Sequence, residues 1–275
     1  MRALDIVIVN YRTPQLVRRL VESLSGWAAA LDAGFLMVDS ASGDESARFL
    51  AALEPAATVL CLEQNLGFGA AANRGAALGN APWLLFLNPD VELGIDGLTR
   101  LFEAAAAGSA VLGGTCDGGP RAHGPLRARR AGGCIEVDWI AGSLMMLPRP
   151  DFKRVGGFDE SYFMYMEDVD LCERLRARGV PSGLVPGVSY SHSGGASYAA
   201  SGRDRAADWR ASRKQYLSRR YGRAAGWVYD LFATAGGFMR RLRSRQSTMA
   251  GAVSTPIRAE ALARSQRSST PSQGE

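Results

Sequence analysis

The chain lacks the marks of several protein classes. Its four cysteines, at 61, 116, 134 and 172, form no C-x-x-C pair. Their spacing suits neither a zinc site nor a disulfide framework, so free thiols in a reducing compartment are expected. Only two histidines are present, His123 and His192. No apolar run approaches the roughly 20 residues that cross a bilayer. The N-terminus shows no signal peptide, because the short run Ile6 to Val9 is ended by Asn10-Tyr11-Arg12. No internal repeat is visible. A cytoplasmic protein follows, with any membrane contact peripheral.

What is present bounds the fold. The 275 residues are 47% apolar, enough to bury the core of one large α/β domain with an appendage. The net charge is +5, which suits nucleic acid, an anionic membrane or a phosphorylated substrate without choosing among them.

Strand and helix signals alternate over the first 90 residues. Asp5 to Val9 is a continuous β-branched run, as in a buried parallel strand. Thr13-Pro14 opens a helix, with Leu16, Leu20 and Leu24 on one stripe. Further strands are expected at 35–38, 58–62 and 83–87, and helices at 46–53 and from 68 to about 78. This predicts a doubly wound, mostly parallel sheet, whose ligands bind beyond the carboxyl ends of the strands. The polar clusters Asn10-Tyr11, Asp39, Asn65 and Asp90 fall at those ends. Residues 113–134, rich in Gly, Arg and Pro, read as a loop. Asp138 to Met146 reads as a strand, 167–178 as a helix and 185–190 as a late strand.

Four constellations carry chemistry. Asn88-Pro89-Asp90 puts a carboxylate at a strand end, where it can hold a hard cation by oxygen or simply make a turn. Gly67-x-Gly69-x-x-Ala72 is a variant of the dinucleotide fingerprint, with Asp90 about 20 residues on as a ribose-binding acid. That leaves a nicotinamide-dependent enzyme open, although the run follows the third strand and not the first. Glu167-Asp168-Val169-Asp170 opens a helix, and three carboxylates in four residues exceed what capping needs. One of them could act as a general base. His192 sits on a loop after a strand and can complete a cation site.

Taken in order, these segments resemble the family 2 glycosyltransferases, and within them the bacterial rhamnosyltransferase-like branch. The matching stretches are Ile8 to Tyr11, Val38 to Asp44, Asn65 to Gly75, Phe86 to Asp90, Gly156 to Cys172 and His192 to Ser197. Together they span about residues 5 to 198. The resemblance implies a single Rossmann-like GT-A domain over 1–202. It implies that Asp39 bonds the base or ribose, that Asn10 and Tyr11 line the base pocket, and that Gly67 and Asn73 lie near the nucleotide. Asp90 would match the last acid of an Asp-x-Asp motif that binds Mg²⁺ or Mn²⁺ on the donor pyrophosphate. Asn88 replaces the motif's first acid. Asp168 would be the catalytic base, with Glu167 beside it, and His192 a metal or donor ligand. One base and in-line attack imply inversion. The branch makes dTDP-rhamnose the leading donor, ahead of UDP-linked hexose or galactofuranose, and a glycan or polyprenyl-linked hydroxyl the acceptor, in cell-surface polysaccharide synthesis. A catalytically dead nucleotide-sugar-binding partner is the remaining alternative.

From 203 to 245 there are 12 Lys and Arg against three acids, interleaved with Trp209, Tyr216, Tyr221 and Trp227. This basic helical extension reads either as a solvated face or as a surface that docks on anionic lipid. No nucleic-acid-binding motif accompanies it. The tail, 246–275, is polar and expected to be disordered.

Overall fold

The computed structural model describes residues 2–53, 57–117, 123–129 and 133–233. The chain runs β1 (Leu4–Asn10), α1 (Pro14–Ala30), β2 (Ala33–Asp39), α2 (Ser46–Ala51), β3 (Thr58–Cys61), α3 (Phe68–Ala77) and β4 (Trp83–Leu87). It continues through β5 (Val91–Leu93), α4 (Ile95–Ala106), β6 (Val111–Asp117), β7 (Leu126–Arg129), β8 (Ile135–Val137) and β9 (Leu144–Pro148). The last elements are α5 (Arg149–Arg154), α6 (Glu167–Arg176), β10 (Ser182–His192), α7 (Ala196–Ser201) and α8 (Arg205–Tyr221). Two compact units emerge, Met1–Tyr216 and Leu217–Glu275. The proposed tail lies outside the described residues.

One sheet orders the first unit as β3-β2-β1-β4-β9-β6-β10-β8-β7, with β5 on β10. The strands β3, β2, β1 and β4 are parallel, as the alternation predicts. Beyond them the sheet is mixed: β9 runs antiparallel to β4 and β6, and β10 runs parallel to β6. Successive side chains point to opposite faces, and the two cores follow from that. Ile6, Ile8, Leu85, Leu87, Leu144 and Met146 pack with Val17, Leu20, Val21 and Leu24 of α1 and Leu98 and Leu101 of α4. Val7, Leu84, Phe86, Met145 and Leu147 face the other way, toward α3, α5 and α6.

Two expectations are corrected. Residues 113–134 are not one loop, since 113–117 finish β6 and 126–129 form β7. The glycines there mark close packing: a Cβ on Gly113 would lie 2.5 Å from Ile140 Cγ2, and one on Gly114 2.6 Å from the Val188 carbonyl. Nor is 138–146 one strand. β8 stops at Val137 and β9 starts at Leu144. A turn falls between them, closed by the Leu144 N–H on the Ala141 carbonyl.

The buried ion pair between Arg149 and Asp5 staples the lower edge of the parallel half. The guanidinium also donates to the carbonyls of Ala76 and Ala81, and the Ala81 N–H donates to Asp5 Oδ2. Thus β1, the end of α3, the approach to β4 and α5 meet at one charge pair. Removing one partner of such a pair leaves the other charge uncompensated, at about 3–5 kcal/mol. Arg149→Met is therefore expected to lower the thermal midpoint by roughly 6–20 °C. Adding Asp5→Leu should recover part of that loss in the same melting experiment.

Candidate active site

The upper edge of the sheet gathers three polar centres. The first is a corner built from the end of β4 and the end of β10. His192 pairs with Val91 across the antiparallel β5–β10 ladder. That register sets its ring against the Asn88-Pro89-Asp90 turn. His192 Nε2 lies 3.1 Å from Asp90 Oδ1, with the two side chains only 14% and 9% exposed. Asn88 Nδ2 lies 3.3 Å from the same ring nitrogen. Asp90 Oδ2 accepts from Ser193 Oγ at 3.1 Å and from the Gly194 N–H at 2.9 Å. Burial works to raise the Asp90 carboxyl, but the His192 ring, the Ser193 hydroxyl and the Gly194 amide outweigh it. They hold the group below the usual carboxylate range.

This corner fits a divalent cation of a particular kind. Among the described residues no three His, Cys, Asp or Glu side chains gather as a cage. One carboxylate oxygen and one imidazole nitrogen 3.1 Å apart match neighbouring ligands around a six-coordinate ion with bonds of about 2.1 Å. The remaining ligands must come from water and from phosphate oxygens, as is usual for Mg²⁺. A cavity of about 560 Å³ opens beside the corner, lined among others by Arg19, Asp90, Glu92, Asp117 and His192.

The second centre is the acid pair at the start of α6. Asp168 Oδ2 accepts from the Gly142 N–H at 3.2 Å, and Oδ1 from the Val169 N–H at 2.8 Å. Burial raises its carboxyl, and those amides oppose the rise. Glu167 is 4% exposed, and its Oε2 has no hydrogen-bond partner among the described residues. Burial, then the charge of Asp168, push its carboxyl well above the ordinary range. Of the two carboxyls, Glu167 is pushed further toward its neutral form. The pair is joined to the cation corner by one turn: Gly142 holds Asp168, and the neighbouring Ser143 carbonyl accepts the Asn88 N–H at 3.0 Å. Sequence gave no sign of this link.

The third centre is the floor at the ends of β1 and β2. Asn10 faces Asp39 in register, and its Nδ2 donates to Asp39 Oδ1 at 2.7 Å. Its Oδ1 accepts from the N–H and hydroxyl of Thr13. Asn10 is fully buried with its amide engaged inside the protein, so it positions Asp39 and does not line a pocket with its own polar atoms. Asp39 accepts from Ser42 through both oxygens. Tyr11 is half-buried, with the Arg12 guanidinium 5.3 Å from its ring centre.

Two other residues singled out in the sequence have clear structural work. A Cβ on Gly67, at φ +87°, would sit 1.9 Å from the Phe163 carbonyl. Only glycine lets α3 start against the 163–166 turn. Asn73 binds both the N–H and the carbonyl of Phe158, each at 2.9 Å. Phe158 in turn packs edge-on against Phe68, Phe86 and Phe152.

The same turn shows what sequence reading missed. Tyr165 and Met166 both take positive φ, at 69° and 70°, a strained conformation that surrounding contacts must hold. The Phe163 carbonyl receives the Phe68 N–H, and the Met164 carbonyl receives the Ser212 hydroxyl at 2.7 Å. Tyr165 stacks on Tyr198 at 6.0 Å. The Tyr216 hydroxyl reaches Glu173 at 3.0 Å. The start of the basic stretch therefore braces the acid pair. Its only trace in the sequence is a serine and two tyrosines without a motif.

With this geometry in view, comparison with known proteins is informative. Residues 5–170 match the family model described as Glycosyl transferase family 2. The N-acetylglucosaminyl-diphospho-decaprenol L-rhamnosyltransferase of Mycobacterium tuberculosis is 30% identical, over 82% of this chain and 86% of its own length. The rhamnosyltransferase WbbL of Escherichia coli K12 is 52% identical over 59 residues, 20% of this chain and 22% of its own. Among solved structures, the mannosyltransferase PcManGT of Pyrobaculum calidifontis, in complex with GDP-Man and Mn²⁺, aligns with a TM-score of 0.59 at 14% identity. That alignment covers 93% of this chain and 82% of that one. GalNAc-T7 with UDP, GalNAc and Mn²⁺ aligns at 0.58 and 16% identity, over 70% of this chain and 44% of that one. These neighbours share the GT-A fold and displace the nicotinamide reading, for Gly67 and Gly69 open the helix after β3, at the sheet's edge. The chain belongs to glycosyltransferase family 2 and is a glycosyltransferase with rhamnosyltransferase relatives.

Proposed function

We propose that the chain moves one hexose, with rhamnose from dTDP-rhamnose as the leading donor, onto a hydroxyl of a lipid-linked or glycan acceptor by a single inverting displacement. The observation that supports this reading is the turn 141–143, whose Gly142 N–H holds Asp168 while its Ser143 carbonyl accepts the N–H of Asn88, two residues before Asp90. The tuberculosis relative's name specifies an N-acetylglucosaminyl-diphospho-decaprenol acceptor. Carried to this chain, that makes a polyprenyl-diphosphate sugar the acceptor class and the cytoplasmic face of the cell membrane its workplace.

The residues divide the labour. Asp90 and His192, with Asn88 beside them, would hold Mg²⁺ or Mn²⁺ on the donor diphosphate. When bound, that cation offsets the negative charge of the departing diphosphate. Asp39, fixed by Asn10 and Ser42, offers a carboxylate edge to the base or ribose, next to Tyr11. Gly67 and Asn73 shape this side of the cleft by holding the 163–166 and 156–160 turns. Asp168 takes the proton of the acceptor hydroxyl as that oxygen attacks the anomeric carbon. The bond to the diphosphate oxygen breaks, and its electron pair leaves with the nucleoside diphosphate. Burial and the charge of Asp168 favour the neutral form of Glu167, which leaves Asp168 as the member that takes up the proton.

Membrane docking is the second part of the reading. The chain is helical again over 223–233, where Trp227, Val228, Leu231 and Phe232 are 75, 54, 70 and 72% exposed. Their spacing puts them on one face. Arg219, Arg220 and Arg223 precede them, a pairing of apolar stripe and basic rim that suits an anionic interface. No described helix is long and apolar enough to cross a membrane.

Three outcomes are expected. In Asp168→Asn, dTDP should still raise the melting temperature in the presence of Mn²⁺, while transfer falls by about 10²–10⁴-fold. A fully active variant would remove the base from the mechanism. Native Glu167 binds more protons than its unfolded counterpart, so its contribution to stability declines as pH rises through the interval above its ordinary pKa. Glu167→Gln should thus melt higher than the native chain above neutral pH, with the gap closing toward pH ~4.5. Finally, replacing Trp227, Leu231 and Phe232 together with serine should cut sedimentation with phosphatidylglycerol vesicles by about tenfold or more. Unchanged sedimentation would end the docking idea.

A further inference from the structure

On the reading above, the corner of Asp90 and His192 must receive a nucleoside diphosphate, although its one carboxylate is itself an acid held in its charged form. One cation at a corner with a single carboxylate does not balance the charge that grows on that leaving group. A further positive group is required, and the segment after His192 carries the candidates.

Three arginines approach the cleft from this side. Arg203 lies over the Phe163 ring at 3.9 Å, but both its arms are held by Asp208, at 2.6 and 2.9 Å. Arg12 donates to the carbonyls of Ser42 and Ala200. Arg205 differs from both. Its Nη1 makes one long bond, 3.4 Å, to the Gly194 carbonyl. Its guanidinium sits 5.9 Å from the centre of the Tyr165 ring, and the residue is exposed. No ion pair joins it to a carboxylate among the described residues.

Its position is what matters. Gly194 stands between Arg205 and the cation corner, since its N–H donates to Asp90 Oδ2 at 2.9 Å and its carbonyl receives Arg205. Tyr165 stands between Arg205 and the acid pair, two residues before Glu167. Arg205 therefore touches both turns that frame the cleft. Gly195, beside it, takes a backbone conformation that favours glycine. Gly195 adopts φ +121°, and a Cβ there would come within 3.4 Å of Arg205 Nη1.

We propose that Arg205 is a diphosphate-binding residue, which turns from the Gly194 carbonyl to the donor's phosphate oxygens and stabilises the nucleoside diphosphate as it leaves. A planar guanidinium suits this task because it bonds two phosphate oxygens at once. The assignment rests on the transferase reading.

The test is titration calorimetry of the full chain with dTMP, dTDP, UMP and UDP, Mn²⁺ being present throughout. The native chain should bind each diphosphate more tightly than its monophosphate. In Arg205→Gln that advantage should shrink by about tenfold or more, the loss expected for a charge-assisted hydrogen bond. Monophosphate affinity should move less than about twofold, and Arg205→Lys should restore part of the advantage. The full diphosphate advantage surviving in Arg205→Gln, or an equal loss for mono- and diphosphates, overturns the assignment alone. A native chain with no affinity for any of the four nucleotides overturns the transferase reading and this assignment together.

Discussion

Two peptide groups hold the cleft together. The Gly142 N–H engages Asp168, and the Ser143 carbonyl engages the backbone of Asn88. They can do so because β4 and β9 lie side by side and antiparallel, with Leu87 opposite Leu144. The end of one strand is thus met by the beginning of the other. Ser143 adds a third tie, its hydroxyl 2.9 Å from that of Tyr190 on β10. The Ser143–Asn88 link is backbone on both sides and so does not depend on protonation, whereas the Gly142 link ends on the titratable Asp168. The two carboxylates experience opposite environments. Asp90 is held below the ordinary range by an imidazole, a hydroxyl and an amide, while burial lifts Asp168. The first is favoured in its charged form; the second is a stronger base than a surface aspartate.

Several motif residues serve this geometry through contacts within the protein. Asn10 holds Asp39, Asn73 holds Phe158, and Gly67 lets the Phe163 carbonyl approach. Phe158 itself is core, clamped among three other phenylalanine rings. A motif of this kind records the contacts between loops as much as the contacts with substrate.

That distinction decides what could be read from the sequence. The parallel half was legible because β1, β2 and β4 are buried on both faces and its helices carry single apolar stripes, so each signal is local. Asp90, Asp168 and His192 stand out in the sequence because carboxylates and imidazole are rarely used merely to pack. The breaks at 117 and between 137 and 144 were not, because Gly113 and Gly114 resemble loop residues until the bulk of Ile140 and Val188 is placed over them. The brace from α8 was hidden for another reason. Ser212 and Tyr216 act on residues more than 40 positions away, and a helix that looks basic and exposed gives no hint of which few residues turn inward.

Asn88 shows how the electrostatics are distributed. An aspartate there would add a second negative charge beside His192 and Asp90. With cation bound, that charge would strengthen the ion's grip; without it, the charge would repel an arriving diphosphate. The amide has neither effect. Its backbone N–H fixes it to Ser143, and its side chain rests against the imidazole without adding charge. On the proposed reading, cation affinity would be weaker and more of the donor's charge would fall to groups from the chain after β10. The glycines at 194 and 195 and the exposed arginine beside them lie there. A single replacement at the end of β4 and the composition of a segment a hundred residues later are thus two sides of one charge balance.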